Sequence, residues 1–136
     1  MFEPTQWSTK IATGIIWQDY QHRELLESIH SLQKEISANK GNNENIQIIN
    51  FLEFYAKDHC GIEEAYMDLM KYPDSDHHKE EHESFLKQIE QLKEFRSYSI
   101  GIKTEALYKD LARWFVMHIN NTDQRLGAFL KSNGIR

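Results

Sequence analysis

The chain is poor in residues that cross-link or interrupt a fold. Cys60 is its single cysteine, so no disulfide can form within the chain. With two prolines and six glycines, little interrupts regular helix. No apolar run approaches the roughly 20 residues of a membrane span, and the opening residues do not form a signal peptide. We therefore expect a soluble, cytoplasmic protein.

Positive charge is also scarce. Sixteen Lys and Arg stand against 21 Asp and Glu, and the acidic residues are spread along the chain. This balance disfavours a surface for nucleic acid or for an anionic membrane. The length of 136 residues fits a single domain, residues 1–136, with an N-terminal arm over about residues 1–17.

Apolar residues recur at the helical period in four segments. The first predicted helix runs from Asp19 to about Ser37, and the second from about residue 43 to Tyr72. The third follows Pro73, and the fourth ends near Gly134. Short connections, at residues 38–43, 73–75 and 98–102, predict an all-α fold: an antiparallel up-down-up-down four-helix bundle. On helix two the predicted inward stripe is Ile48, Leu52, Tyr55, His59, Ile62, Tyr66 and Met70.

Metal-type ligands occur on the predicted inward faces of all four helices. Two pairs have helical spacing i, i+4, which places both members about 40° apart around the axis, so each pair can point at one centre. One such pair alone is more often incidental than a metal site. Their coincidence on faces assigned independently to the core, where unpaired ionisable groups are unfavourable, indicates metal binding. The candidates are His22, His59, Glu63, His78, His82, His118 and Asp123.

Asp123 is five residues after His118, and on a regular α-helix this spacing separates two side chains by about 140°. A π-bulge between them would bring Asp123 onto the face of His118, and such bulges concentrate at functional sites. The alternative is that Asp123 is a solvated helix residue. We favour the ligand, because a second bridging carboxylate completes the coordination of two metals.

Two six-coordinate irons would have twelve coordination positions. Five imidazoles fill five, two bridging carboxylates fill four, and one bridging oxygen from water fills two. One position is left open, and an exchangeable position can take a small ligand such as dioxygen. Iron suits this ligand set, although ligand type alone also allows zinc or manganese.

Two further histidines are not assigned to the metal. His77 should point about 100° away from its neighbour His78, which predicts a surface side chain. Glu27 and His30 form one ExxH pair of the kind that ferritin-like di-iron proteins use, but that scheme needs a second pair, which is absent. We interpret His30 as structural or exposed.

The ordered set Gln21-His22, His59-x-x-x-Glu63, His78-x-x-Glu81-His82 and His118-x-x-x-x-Asp123 resembles the hemerythrin family, specifically the single-domain bacteriohemerythrins. The resemblance spans the chain, from Trp7 to the segment WFVMHI. It implies a non-haem di-iron centre, with a bridging oxo or hydroxo group, that binds dioxygen reversibly. By the same resemblance, His78, His82 and His118 hold the coordinatively full iron, His22 and His59 hold the open one, and Glu63 and Asp123 bridge.

The resemblance also implies a small apolar pocket over the open position. The matching residues are Leu25, Cys60, Trp114, Phe115 and Ile119. The chain departs from the family pattern at Cys60, where Phe is usual. If Cys60 lines the pocket, the pocket is wider and more open to water; otherwise Cys60 is a buried small hydrophobe.

The leading functional hypothesis is an oxygen carrier, store or delivery protein, more a binding protein than an enzyme. The alternative is a di-iron enzyme that reduces dioxygen, peroxide or nitric oxide, or an oxygen or redox sensor that acts through a separate partner. Small anions or nitric oxide could also bind, and a redox partner protein could serve the centre. A histidine phosphotransfer bundle ranks last, since it needs an exposed reactive histidine.

Overall fold

The computed structural model describes residues 9–37, 42–97 and 101–136. Its helices are α1 (Ile16–Ser37), α2 (Asn42–Met70), α3 (Ser75–Ser97), α4 (Gly101–His118) and α5 (Gln124–Ser132). A π-helical turn, Ile119–Asp123, joins α4 to α5, and a 3₁₀ turn, Thr9–Ile11, precedes α1. The described residues contain no strand. No helix among them is long and apolar enough to cross a membrane.

The helices pack as the predicted four-helix bundle. Helix α2 packs against α1 and α3, α4 packs against α3, and α1 also contacts α4, which closes the ring. The all-α, up-down-up-down prediction is therefore confirmed. Buried apolar residues form two groups along the bundle. The main core includes Leu25, Leu52, Phe85, Phe115 and Ile119, and the end core comprises Ile15, Met67, Tyr72, Leu126 and Leu130.

Several predicted boundaries shift by a few residues. Helix α1 begins one turn earlier than predicted, at Ile16, and α2 ends at Met70 rather than Tyr72. Helix α4 begins at Gly101, so the last two residues of the predicted loop 98–102 are helical. Residues 1–8 of the arm, with Trp7, and residues 38–41 and 98–100 of the two loops lie outside the described residues.

The inward stripe of α2 was predicted slightly off its true position. Its fully buried side chains include Ile49, Ala56 and Met67, whereas Ile48, Tyr55, Ile62, Tyr66 and Met70 are only half-buried. The buried stripe is thus centred about one residue further along the helix than the apolar pattern suggested. The reason is that the buried face of α2 includes the polar residue Glu63. Apolar periodicity cannot detect a polar residue on the inward face.

The segment before α1 is held against the end of the bundle. The Asp19 carboxylate accepts hydrogen bonds from the backbone N–H groups of Thr13 (2.7 Å) and Gly14 (3.1 Å). The Gln124 side chain donates to the carbonyl of Ile11 (2.9 Å). Gly127 allows the close approach, since a Cβ there would lie 2.8 Å from the Thr13 Cβ. These contacts fix the start of α1 and the side chains that follow.

Candidate metal centre

The seven candidate ligands lie in one layer of the bundle, between the main core and the end core. Along the chain, the apolar residues on one side of this layer belong to the main core and those on the other side to the end core. On α2, for example, Ala56 precedes His59 and Met67 follows Glu63. All seven side chains are buried: His22, His59, Glu63, His78, His82, His118 and Asp123.

The Glu63 side chain of α2 lies among imidazoles from α1, α2 and α3. Its Oε1 atom lies 2.9 Å from Nε2 of His82 and 3.2 Å from Nε2 of His78. Its Oε2 atom lies 3.2 Å from Nε2 of His59 and 3.8 Å from Nε2 of His22. The two pairs at i, i+4 spacing therefore converge as predicted, and each carboxylate oxygen faces a different set of imidazoles.

Asp123 reaches the same centre from the π-helical turn. Its Oδ1 atom lies 3.0 Å from Nε2 of both His118 and His78, and its Oδ2 atom lies 2.7 Å from Nε2 of His22. The turn spans the interval in which a π-bulge was predicted. The alternative of a solvated Asp123 is wrong, because its side chain is fully buried.

The ligand atoms form two groups, each with its members within 4.8 Å of one another, that could hold a metal ion. One group is Glu63, His78, His82, His118 and Asp123, and the other is His22, His59, Glu63 and Asp123. Both carboxylates belong to both groups. The arrangement thus offers two adjacent metal positions with unequal numbers of protein ligands.

The centre contains polar atoms that the chain itself does not satisfy. Nε2 of His22, His59 and His118 and both carboxylate oxygens of Asp123 are buried without a hydrogen-bond partner. Buried polar atoms are nearly always paired, and leaving one unpaired is unfavourable by about 1–3 kcal/mol. Because these atoms converge and are all good donors to iron, the residues present fit a di-metal group.

Three of the five imidazoles have a carbonyl or carboxylate partner for their other nitrogen. Nδ1 of His59 lies 2.6 Å from Oε1 of Gln21, Nδ1 of His82 lies 2.8 Å from Oε2 of Glu64, and Nδ1 of His118 lies 2.7 Å from Oε1 of Glu81. Each Nδ1–H donates to its oxygen, which leaves the Nε2 lone pair free for a metal. Outer partners of this kind orient ligands and raise their basicity.

Charges in the cluster shift the pKa values of its members. Burial alone raises the pKa of Glu63, but the charge of His59 and the close imidazoles of His59, His78 and His82 outweigh it and hold the pKa well below its usual value. Asp123 likewise has a pKa held well below its usual value, because His118 and His22 outweigh burial and Glu63. Both carboxylates are therefore ionised, which is the form in which a carboxylate binds a metal ion.

The pKa of the outer carboxylate Glu81 is lowered as well. A hydrogen bond from His118 lowers the pKa of Glu81 to about 2, despite some burial, and Thr122 adds a second hydrogen bond of 2.7 Å. Thr122 belongs to the π-helical turn, so this contact ties the turn to α3. Glu81 thus fixes both the orientation of His118 and the position of the segment that carries Asp123.

Four of the five predicted pocket residues are buried, and the fifth, Trp114, is half-buried. Leu25, Phe115 and Ile119 are buried in the main core, and Phe115 packs edge-on against His22 with ring centroids 6.1 Å apart. Cys60 is buried, and burial, with Glu63 and Asp123 nearby, raises its pKa. Trp114 instead stacks on His118 at 4.8 Å and on Phe85 at 5.0 Å.

The two unassigned histidines are separate from this cluster. His77 is exposed and its Nε2 lies 2.8 Å from Oε2 of Glu81, so the predicted surface position is confirmed. His30 is half-buried on α1, two turns beyond His22, in agreement with a structural role.

Sequence reasoning assigned no role to the outer residues Gln18, Glu64 and Glu81, although Glu81 is part of the motif that carries the family resemblance. Gln18 precedes His22 by four residues, a spacing that places it on the same inward face. Glu64 and Glu81 act across helix interfaces, and their partners depend on how neighbouring helices are aligned. Only the position of Gln18 carried a signal within its own helix.

Comparison with known proteins agrees with this geometry. The sequence model of the hemerythrin HHE cation binding domain matches residues 13–130. The chain is 29% identical over 119 residues to a bacteriohemerythrin of Pseudomonas aeruginosa, covering 86% of this chain and 75% of that protein. It is 29% identical over 123 residues to a hemerythrin of Sipunculus nudus, covering 89% of each. A bacteriohemerythrin of Stenotrophomonas maltophilia is 27% identical over 127 residues, which cover 93% of this chain and 82% of that protein.

Proposed function

The chain belongs to the hemerythrin family, and from this premise we propose that it holds two irons and binds dioxygen reversibly at one open iron position. It would serve as an oxygen carrier, store or delivery protein. The observation that carries the proposal is the pair of unequal ligand groups, which share both carboxylates.

We assign His78, His82 and His118 to one iron and His22 and His59 to the other, with Glu63 and Asp123 bridging. The first iron would have five protein ligands and the second four. A bridging oxo or hydroxo group from water would add one ligand to each. For six-coordinate irons, this leaves one vacancy, on the iron of His22 and His59.

The iron pair, when bound in its ferrous form, supplies the electrons for reversible dioxygen binding. The chain contributes orientation and protonation state. Gln21, Glu64 and Glu81 hold the Nδ1 protons of three imidazoles and so keep the Nε2 lone pairs directed at the metals. The low pKa values of Glu63 and Asp123 keep the bridging groups ionised.

Apolar side chains would shield the vacancy from water. Phe115 contacts His22, a ligand of the open iron, and Leu25 and Ile119 are buried in the same core. We therefore propose a pocket of Leu25, Cys60, Phe115 and Ile119 on this side. Trp114 remains in the proposed pocket set, although its stacking partner His118 belongs to the other iron.

Metal analysis combined with absorption spectra tests this function. Spectra of the protein would be recorded without oxygen, in air, and after oxygen is removed again. A carrier returns to its first spectrum in the last step, whereas an enzyme consumes oxidant and does not. Iron-replete protein that contains stoichiometric zinc, or a spectrum that never reverses, would contradict the proposal.

Finer features of the proposal rest on the sequence and the family. They are a cytoplasmic location, a redox partner protein, and binding of small anions or nitric oxide at the same vacancy. Turnover with dioxygen, peroxide or nitric oxide is the enzymatic alternative that the oxygen-removal spectrum separates from storage.

A further inference from the structure

Gln18 is a fully buried polar side chain outside the set of seven candidate ligands. It lies on α1, one helical turn before His22, at 0% exposure. Its Nε2 atom donates a hydrogen bond of 2.6 Å to Oε2 of Glu63, from 45 residues away in the sequence. A buried amide that meets a bridging carboxylate so closely is positioned to act on the metals through it.

The chemistry of Glu63 decides which end of the Gln18 amide faces it. A carboxylate that binds metal is ionised, so Oε2 of Glu63 accepts hydrogen bonds and has no proton to donate. An amide oxygen in that position would be repelled, whereas the amide N–H₂ group is attracted. A hydrogen bond to a charged acceptor is also stronger than one between neutral groups.

The contact is made to one oxygen in particular. Oε2 is the oxygen of Glu63 that faces His59 and His22, the group assigned to the open iron. Gln18 approaches Oε2 from the end-core side, because it follows Ile15 of the end core and precedes His22 along the chain. Leu25, which lies beyond His22, belongs to the main core. Gln18 therefore reaches the open iron's carboxylate from the side opposite the proposed pocket.

Gly127 borders the space beside the Gln18 amide. A Cβ on residue 127 would lie 3.4 Å from Oε1 of Gln18 and 2.8 Å from the Thr13 Cβ, so a glycine there keeps the segment and the amide close to the centre. Oε1 of Gln18 is buried without a hydrogen-bond partner. The side chain thus forgoes one hydrogen bond, and the contact with Glu63 is the polar interaction that accounts for an amide at this site.

We propose that Gln18 is a positioning residue that tunes the open iron through Glu63. The inference rests on the proposed function, because it needs iron bound to Oε2. The N–H group withdraws electron density from Oε2, so this oxygen donates less to the iron. A weaker anionic donor stabilises the ferric state less, which raises the reduction potential and favours the ferrous protein that binds oxygen.

The test compares Gln18→Met with the matched control Gln33→Met. Met is unbranched and similar in size to Gln but has no N–H group, so it fills the space and removes only the hydrogen bond. Gln33 is a half-buried residue of the same helix, about 22 Å further along its axis. At equal iron content, the midpoint reduction potential should fall in Gln18→Met and stay unchanged in Gln33→Met. An unchanged or higher potential in Gln18→Met would overturn the inference.

A second measurement uses the unsubstituted sequence and does not depend on the variant's folding. In protein loaded with diamagnetic zinc, the side-chain N–H of Gln18 should show a strongly downfield proton shift and slow exchange with deuterated water. An ordinary shift with fast exchange would overturn the inference. Failure of the proposed function would appear separately, as missing iron or irreversible spectra in the same unsubstituted protein.

Discussion

Nε2 of His118 lies 3.0 Å from Oδ1 of Asp123, although the two residues are five apart in the sequence. On a regular α-helix their side chains would diverge by about 140°. The π-helical turn Ile119–Asp123 absorbs the extra residue and directs Asp123 inward, while Leu126 and Leu130 beyond it stay in the end core. The second carboxylate of the centre therefore depends on a local interruption of the helix.

Changing the length of this turn should show whether the turn is what directs Asp123 to the metal centre. Inserting one Ala between the exposed residues Asn120 and Asn121 rotates Asp123 by about 100°, so we expect most of the iron to be lost. Deleting Asn121 leaves His118 and the Asp at i, i+4 spacing on one face, and iron should be retained. Iron per chain, measured beside circular dichroism of both variants, checks this. Full iron in the insertion variant would show that the turn does not set the ligand geometry.

Removing either bridging carboxylate should destabilise the whole centre. Glu63→Ala or Asp123→Ala takes away a ligand that belongs to both groups, so both irons lose a bond. We expect iron retention after gel filtration to drop by more than half, while Glu80→Ala, an exposed acid on α3, serves as the control and keeps its iron. A normal di-iron spectrum in both bridging variants would refute the assignment.

Iron binding should compete with protons over an unusually wide pH range. Despite burial, the adjacent carboxylates of Asp123 and Glu63 raise the pKa of His78 to about 9, and Asp123 and Glu81 raise the pKa of His118 to about 10. Metal requires neutral imidazole, so iron affinity should rise from pH 6 to pH 9 in chelator competition. Affinity that is constant over this range would contradict the prediction.

The metal-free protein should show the opposite dependence. The folded-state pKa values of His78 and His118 lie above the unfolded value of about 6.5. Their charge therefore stabilises the fold fully below that pH, and this contribution is lost as pH rises through about 9 to 10. The melting temperature of the metal-free chain should fall as the pH rises from about 6.5 to about 10. It should fall less in the iron-loaded protein.

Cys60 should influence how long the oxygenated protein lasts. It is 3% exposed beside Glu63 and Asp123, at a position where the family resemblance led us to expect Phe. A larger side chain would exclude water from the vacancy, so Cys60→Phe should slow autoxidation in air, with Cys60→Ala similar to the parent or faster. The decay of the oxygenated spectrum is compared at equal iron content and with stability recorded, since Phe could overpack the core. Unchanged or faster decay in an intact Cys60→Phe centre would assign Cys60 to packing alone.

Much of the fold followed from the sequence because apolar periodicity and short connections determine a bundle. The convergence of His59 with Glu63 and of His78 with His82 was predictable, since each pair lies within one helix. The π-helical turn was also predictable from within one helix. His118 and Asp123 are five residues apart, and on a regular α-helix this spacing would point Asp123 away from the core.

Contacts between helices were harder to predict. The pairing of Glu64 with His82 and of Glu81 with His118 depends on the axial alignment of neighbouring helices, which one-dimensional spacing does not contain. Gln18 was overlooked, although it lies one turn before His22 on the same inward face, because a lone amide is not a typical metal ligand.

The ratio of azide to iron in the diferric protein tests the central claim most directly. If the two unequal ligand groups hold two irons as proposed, one position stays vacant, so calorimetric titration should give one azide per two irons. His59→Ala should weaken this binding strongly, because His59 belongs to the group with the vacancy, while His77→Ala, an exposed control, should leave it nearly intact. Two azides per iron pair, no azide at all, or equal loss in both variants would contradict the account.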